Sequence, residues 1–218
     1  IDNDAFVLTS YELASFLAFT FTGSTPDNEL LEAAKNGGLA TDILIEAQTN
    51  RLLNKSSARA HFGKFAEHWL ATENVSNGTA LSGIEFTDAV DRSLPRELTE
   101  VFNHVVLDQA APFTTLFSSN YSIINETLFN FYNLGSVYVN NDQFVKTNYP
   151  AHIRQGGLLT SGAFVVSKSD VVETNPRDIA LAIRNRVLCQ DAYGPATLEA
   201  GALRDNPFWQ VGFAYQNL

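Results

Sequence analysis

The sequence predicts a mainly α fold: a single multi-helix orthogonal bundle interrupted by one irregular, short-stranded insertion. Three observations carry that reading. Helix start signals recur at short intervals along residues 8–133, apolar residues recur three and four apart between them, and turn residues crowd into 134–157. No internal repeat and no low-complexity linker divides the chain. Residues 1–218 therefore read as one helical domain, helical over 8–133 and again over about 158–190, with the insertion over about 134–157 and an irregular tail over 191–218.

The first helix opens at Thr9, which with Glu12 three residues on makes a capping box ahead of ELASFLAF. Thr25, Pro26 and Asp27 spell the next start: a cap, a proline in the first turn where no N–H is needed, and an acid at the positive end of the helix dipole. Gly37-Gly38 stops that helix. Thr41 with Asp42 opens a third helix to about Leu53, and Ser56 or Ser57 caps a fourth that contains HFGKFAEHWL, residues 61–70. After a Gly- and Asn-bearing loop over about 73–83, Pro95 starts a long helix to about Gln109 and Pro112 a short one. Ser122 caps IINETLFNFY. Gly135, Asn140-Asn141, Pro150 and Gly156-Gly157 mark the insertion, where a short strand fits Val137–Val139. Leu158–Val166 reads as helix, and Asn175, Pro176 and Asp178 start the last one, carried by IALAIRNRVLC to about Cys189.

Composition narrows the function classes. Hydrophobic residues make up 45% of the chain, enough for a sizeable core. The formal net charge of −10 argues against nucleic acid and anionic membrane surfaces, both of which select basic patches. No apolar run approaches the roughly 20 residues a membrane-spanning helix needs, so the chain reads as not transmembrane. Only 17% of residues are charged and one is cysteine, a balance that fits an exported bacterial protein, periplasmic or extracellular. The chain begins at Ile1 and has no Met, which reads as a mature or trimmed product. Cys189 alone makes no internal disulfide and no structural zinc site. Asn-x-Ser/Thr sequons stand at Asn54, Asn74, Asn77, Asn120 and Asn125, as expected by chance in a chain this rich in those residues.

Candidate chemistry is sparse. In HFGKFAEHWL, Phe62, Phe65, Ala66 and Trp69 form one apolar stripe, and His61 and His68 flank it. Seven residues separate the two imidazoles, about 10 Å along the axis, too far to share one ion. Arg96, Glu100, His104 and Asp108 lie four apart, opposite Leu98, Val101, Phe102 and Val105. Glu100, His104 and Asp108 have the chemistry to offer a metal ion three ligands, while the simpler reading is a solvated charge ladder in which Arg96 pairs with Glu100 and His104 with Asp108. Asp2-Asn3-Asp4 and Asn140-Asn141-Asp142 cluster oxygen ligands without the rest of a calcium loop. No G-x-S-x-G elbow, no phosphate loop and no C-x-x-C-H haem attachment occurs; Ser161-Gly162 lacks the preceding glycine, and Cys189 ends an apolar helix as a small hydrophobe. Catalytic and cofactor-binding residues are therefore not assigned, and the reading leans away from an enzyme.

Several segments, read in order, resemble a known family: YELASFLAFTFTGSTPDNELLEAAKNGGL, HFGKFAEHWL, LFSSNYSIINETLFNFYNL, RQGGLLTSGAFV and TNPRDIALAIRNRVLC. That family comprises uncharacterised exported bacterial proteins, of planctomycete and myxobacterial type, in which adjacent domains of unknown function accompany c-type cytochrome modules. The resemblance runs from about Leu8 to Cys189. It departs at Asn175, where the family has Ser, and at Ile179-Ala180, where it has Arg-Gly. It implies an exported helical domain and brings no catalytic residues; haem would lie in a flanking segment or a partner.

The function expected from these readings is an exported, non-catalytic scaffold or interaction domain that assembles with itself or docks a c-type cytochrome. The alternatives are an accessory redox or polysaccharide-acting enzyme domain, with Tyr121, Tyr132, Tyr138 and Tyr149 lining a sugar groove, and a metal-binding domain built on Glu100, His104 and Asp108.

Overall fold

A computed structural model describes residues 7–73, 75, 86–135, 142–149, 157–169 and 175–190. It is mostly helical with one two-stranded antiparallel sheet, as the sequence predicts for fold class. The chain forms two compact units, 1–176 and 177–218. None of the described helices is long and apolar enough to cross a membrane.

In the first unit, α1 (Ser10–Thr22) starts at the expected capping box: the Glu12 N–H donates to Thr9 Oγ1 while the Glu12 carboxylate accepts from the Thr9 N–H. It ends at Gly23, φ 63°, whose N–H donates to the Phe19 carbonyl. The next helix, α2 (Asn28–Lys35), is capped by Asp27 rather than Thr25, because the Asp27 carboxylate accepts from the Leu30 N–H at 2.8 Å. Capping of α3 (Asp42–Leu53) falls to Thr41, as expected. Neither Ser56 nor Ser57 caps α4 (Ser56–Leu70); the cap position is Lys55, and it makes no side-chain capping bond.

The largest revision concerns α5 (Asp88–Asn103). It begins seven residues before Pro95, capped by Thr87, with Asp88 and Asp91 in its first turn. A proline inside a helix costs about 3 kcal/mol. Burial of Val90 and Leu94 ahead of it, at about 1.5–3 kcal/mol each, offsets that. The helix then widens into a π-turn, His104–Asp108. A short α6 (Thr115–Ser118) follows, and then the second revision: Tyr121–Ile124 is strand β1, so Ser122 caps nothing. Asn125 caps α7 (Glu126–Phe131) instead, accepting from the Leu128 N–H. Strand β2 (Val145–Asn148) pairs antiparallel with β1, Tyr121 opposite Asn148 and Ile124 opposite Val145. The sheet thus uses one strand from before the insertion and one within it. The strand expected at Val137–Val139 lies outside the described residues, as do Asp2-Asn3-Asp4, Asn140-Asn141, Asn74, Asn77 and the tail 191–218.

Leu158–Val166 divides into a 3₁₀ turn (Gly157–Thr160) and α8 (Gly162–Val166), capped by Ser161. A Cβ on Gly157, whose φ is +57°, would sit 2.0 Å from the Leu116 carbonyl oxygen, so that turn closes against α6 only as glycine. The second unit is described through residue 190. There α9 (Pro176–Ala182) runs into a π-turn over Ile183–Val187, and the exposed Cys189 follows at φ 50°.

Candidate functional site

The site is built on α4 and α5, which lie side by side in the first unit. Their backbones approach closely at Gly63, while larger side chains meet to either side of it. Ala58, Gly63, Ala66 and Leu70 are the buried positions of α4, and a Cβ on Gly63 would stand 3.2 Å from Thr99 Cβ on α5. The apolar stripe expected on α4 is therefore only partly buried. Ala66 is buried, but Phe65 is 53% exposed. Phe65, Trp69, Phe102, Phe113 and Phe117 form an aromatic cluster, with Trp69 and Phe113 ring centroids 5.4 Å apart. Of the two imidazoles of the fourth helix, His68 pairs with Glu73, and the His61 ring meets Phe62 edge-on.

The ladder on α5 forms and is extended from the neighbouring helix. Arg96 Nε lies 3.7 Å from Glu100, and His104 Nδ1 lies 3.4 Å from Asp108. Arg59 of α4 donates to Asp108 Oδ1 at 2.5 Å and to Glu100 Oε2 at 3.3 Å. A guanidinium thus bridges the two carboxylates that a metal ion would need. Among the described residues no group of three or more His, Cys, Asp or Glu side chains is arranged to hold a metal ion.

Beside the ladder, α4 and α5 form an open groove of about 340 Å³. Ala60 and Gly63 leave the space; Lys64, Glu67, Arg96 and Thr99 line it. Glu67 and Lys64 enter no ion pair among the described residues, although the two charges sense each other. Burial pushes the Glu67 carboxyl above its ordinary value, and the Glu73 charge adds to that. At the groove wall Asn103 is 5% exposed; its Nδ2 donates to the Arg59 carbonyl at 3.0 Å, and its Oδ1 has no donor among the described residues.

The sequence reading missed Glu97. It is fully buried on α5 and accepts from Ser122 Oγ at 2.6 Å, Tyr132 Oη at 2.5 Å and Tyr149 Oη at 3.4 Å. The Gly162 N–H donates in turn to Tyr132 Oη, and Asn125 Nδ2 to Ser93 Oγ. Strand β1, α7, the end of β2 and α8 are thereby tied to one carboxyl group. The signal was present: Glu97 falls between Leu94, Leu98 and Val101 on the apolar side of the helix, where a charge is out of place. Two of the tyrosines expected to line a sugar groove are spent here, and Tyr121 donates to Gln109 and carries Lys146 over its ring; Tyr138 lies outside the described residues. Asn125, one of the sequons, is 5% exposed with its amide committed, so the folded chain presents no acceptor there, whereas Asn54 and Asn120 are exposed.

Residues 8–134, more than half of the chain, match the family described as PSD4, protein of unknown function (DUF1592), and the chain belongs to that family. No curated protein and no solved structure matches it.

Proposed function

We propose that this chain is a non-catalytic interaction domain working outside the cytoplasm, and that the outward side of α1 is its docking surface for a second copy or a c-type cytochrome. One observation carries the reading: α1 is apolar on both sides. Leu17, Ala14 and Ala18 face inward and are buried, while Phe16 and Phe19 are 58% and 54% exposed on the other side. Large aromatic side chains left exposed together on one side of a helix mark an interaction surface. The low charge content and the resemblance to families accompanying cytochrome modules support the exported location and the cytochrome partner. Haem would then come from that partner or from a flanking segment. The Arg59 bridge between Glu100 and Asp108 favours a charge ladder over the metal-binding alternative.

Size-exclusion chromatography with light scattering, and titration with a purified c-type cytochrome of the same host, test the reading. Self-association or cytochrome binding is expected, lost in Phe16→Ser/Phe19→Ser with unfolding stability changed by less than about 0.5 kcal/mol. A wild-type chain that stays monomeric and binds no such cytochrome overturns it.

A further inference from the structure

The exposed aromatic rings of the first unit are not all on α1. Phe65 and Trp69, one turn apart on α4, are offset-stacked with 6.3 Å between centroids and 19° between planes, and Phe113 continues the row, 5.4 Å from Trp69 at 40°. Phe102, 3% exposed, and Phe117 brace this row at steep angles, 51° to 76°. The rings therefore hold one another in place, yet Phe65 and Phe113, at the two ends of the row, stay 53% and 55% exposed. What borders them is polar without being charged. No Asp, Glu, Lys or Arg stands between Asp108 and Glu126. Thr114 and Ser118 are exposed beside Phe113 and Phe117. The Ser118 hydroxyl donates to the Thr114 carbonyl and keeps its acceptor lone pairs, and the Thr114 hydroxyl has no partner among the described residues. On α4, His68 pairs with Glu73, and Lys64 and Glu67 line the groove.

Ring faces edged by neutral hydroxyls match the two surfaces of a sugar. The flat side of a pyranose is a layer of C–H groups, whose slightly positive hydrogens meet the negative face of an aromatic ring. Its rim is hydroxyls, which need donors and acceptors but no counter-charge. We propose that Phe65, Trp69 and Phe113 form a stacking surface for an uncharged glycan with equatorially substituted pyranose units, and that Thr114 and Ser118 meet its hydroxyls. Neighbouring rings of the row serve neighbouring sugars of the chain. A charged polymer finds no ion to pair with on this stretch, and an anionic one is repelled by a protein of net charge −10. None of these residues belongs to α1, so the glycan surface stands apart from the docking reading, and Phe16→Ser/Phe19→Ser leaves it in place.

Native affinity electrophoresis tests the proposal, with hydroxyethylcellulose, xylan or carboxymethylcellulose cast in the gel. Retardation is expected in at least one of the two neutral gels, and about tenfold weaker or less in carboxymethylcellulose, which has the same backbone as the first but carries charge. Phe65→Ala and Phe113→Ala are each expected to weaken the retardation about tenfold, with circular dichroism unchanged. Two further variants separate a ring face from mere apolar area: Phe113→Tyr keeps binding, whereas Phe113→Leu loses it as the alanine variant does. No retardation in either neutral gel overturns the proposal, as does equal retardation in carboxymethylcellulose. Full binding by Phe113→Leu also overturns it, and assigns the row to an apolar protein contact. Adsorption to phosphatidylcholine vesicles without glycan binding overturns it in favour of a lipid surface.

Discussion

The three-helix corner formed by α1, α2 and α3 and the region around α5, β1, α7 and α8 are packed on different principles. In the corner, Leu17, Leu30, Leu39 and Leu52 close on Ala14, Ala18 and Ala34, and Thr22 at the end of α1 is the buried polar residue among those described. Around α5 the buried polar residues include Ser93, Glu97, Asn103, Ser119, Ser122, Asn125 and Ser161. Apolar burial has no direction and accepts any shape of about the right volume. Hydrogen bonds to a buried carboxyl group have fixed partners, and each one that is broken leaves a desolvated group behind. The corner is thus specified loosely and the α5 region tightly, which is also where the elements are short and need outside help to hold their places.

The sharpest way to break this contrast is Glu97→Ala. It removes the acceptor of the Ser122, Tyr132 and Tyr149 hydroxyls together and opens a cavity, and is expected to cost about 4 kcal/mol in urea unfolding. Glu97→Gln keeps the shape and part of the acceptor, and is expected to cost about half as much. A loss under about 1 kcal/mol for Glu97→Ala would mean that the region is held by its apolar contacts and that the contrast is false.

Leu30→Ala in the corner comes next, at about 3 kcal/mol for a fully buried leucine. The comparison is sharpened by Leu30→Met, which conserves volume and is expected to cost less than about 1.5 kcal/mol. The same conservative logic has no counterpart at Glu97, where Glu97→Met is expected to behave like the alanine variant. Equal tolerance at both positions would erase the distinction.

This difference in specification also explains what could be read from the sequence. The corner was legible: the Thr9–Glu12 capping box and Thr41 stand where expected, because caps and period-3.6 patterns are local signals. The α5 region was read less well. Pro95 looks like a start signal until Thr87, Val90 and Leu94 are seen to be capped and buried ahead of it. Tyr121–Ile124 continues an apolar pattern into α7, and only its pairing with Val145–Asn148, more than twenty residues on, makes it a strand. The charge ladder was legible as an i, i+4 series, but its Arg59 bridge comes from another helix. The groove depends on what Ala60 and Gly63 leave empty, which no spacing announces.

The smallest effect is expected where the corner makes its own exception. Asp27 caps α2 and receives both arms of Arg51, at 2.8 and 3.0 Å, as well as Lys55. The Arg51 guanidinium holds its carboxyl well below the ordinary carboxylate range; burial opposes this, and Lys55 and the Leu30 N–H add to it. A depressed folded-state pKa means that the ionised form is bound more tightly in the native state. The stability it contributes is therefore fully present above the unfolded value, near 3.8, and fades as pH falls through the lower folded value. Asp27 is 29% exposed and Arg51 23%, so solvent screens part of the pair, and Asp27→Ala is expected to cost about 1–2 kcal/mol at pH 7, the lost cap included. Unfolding the wild type and the variant across pH 2–7 should show the gap between their stabilities constant down to about pH 4 and narrowing below it. A constant gap over that range would place the contribution of Asp27 in packing rather than charge, and would leave the corner apolar in principle throughout.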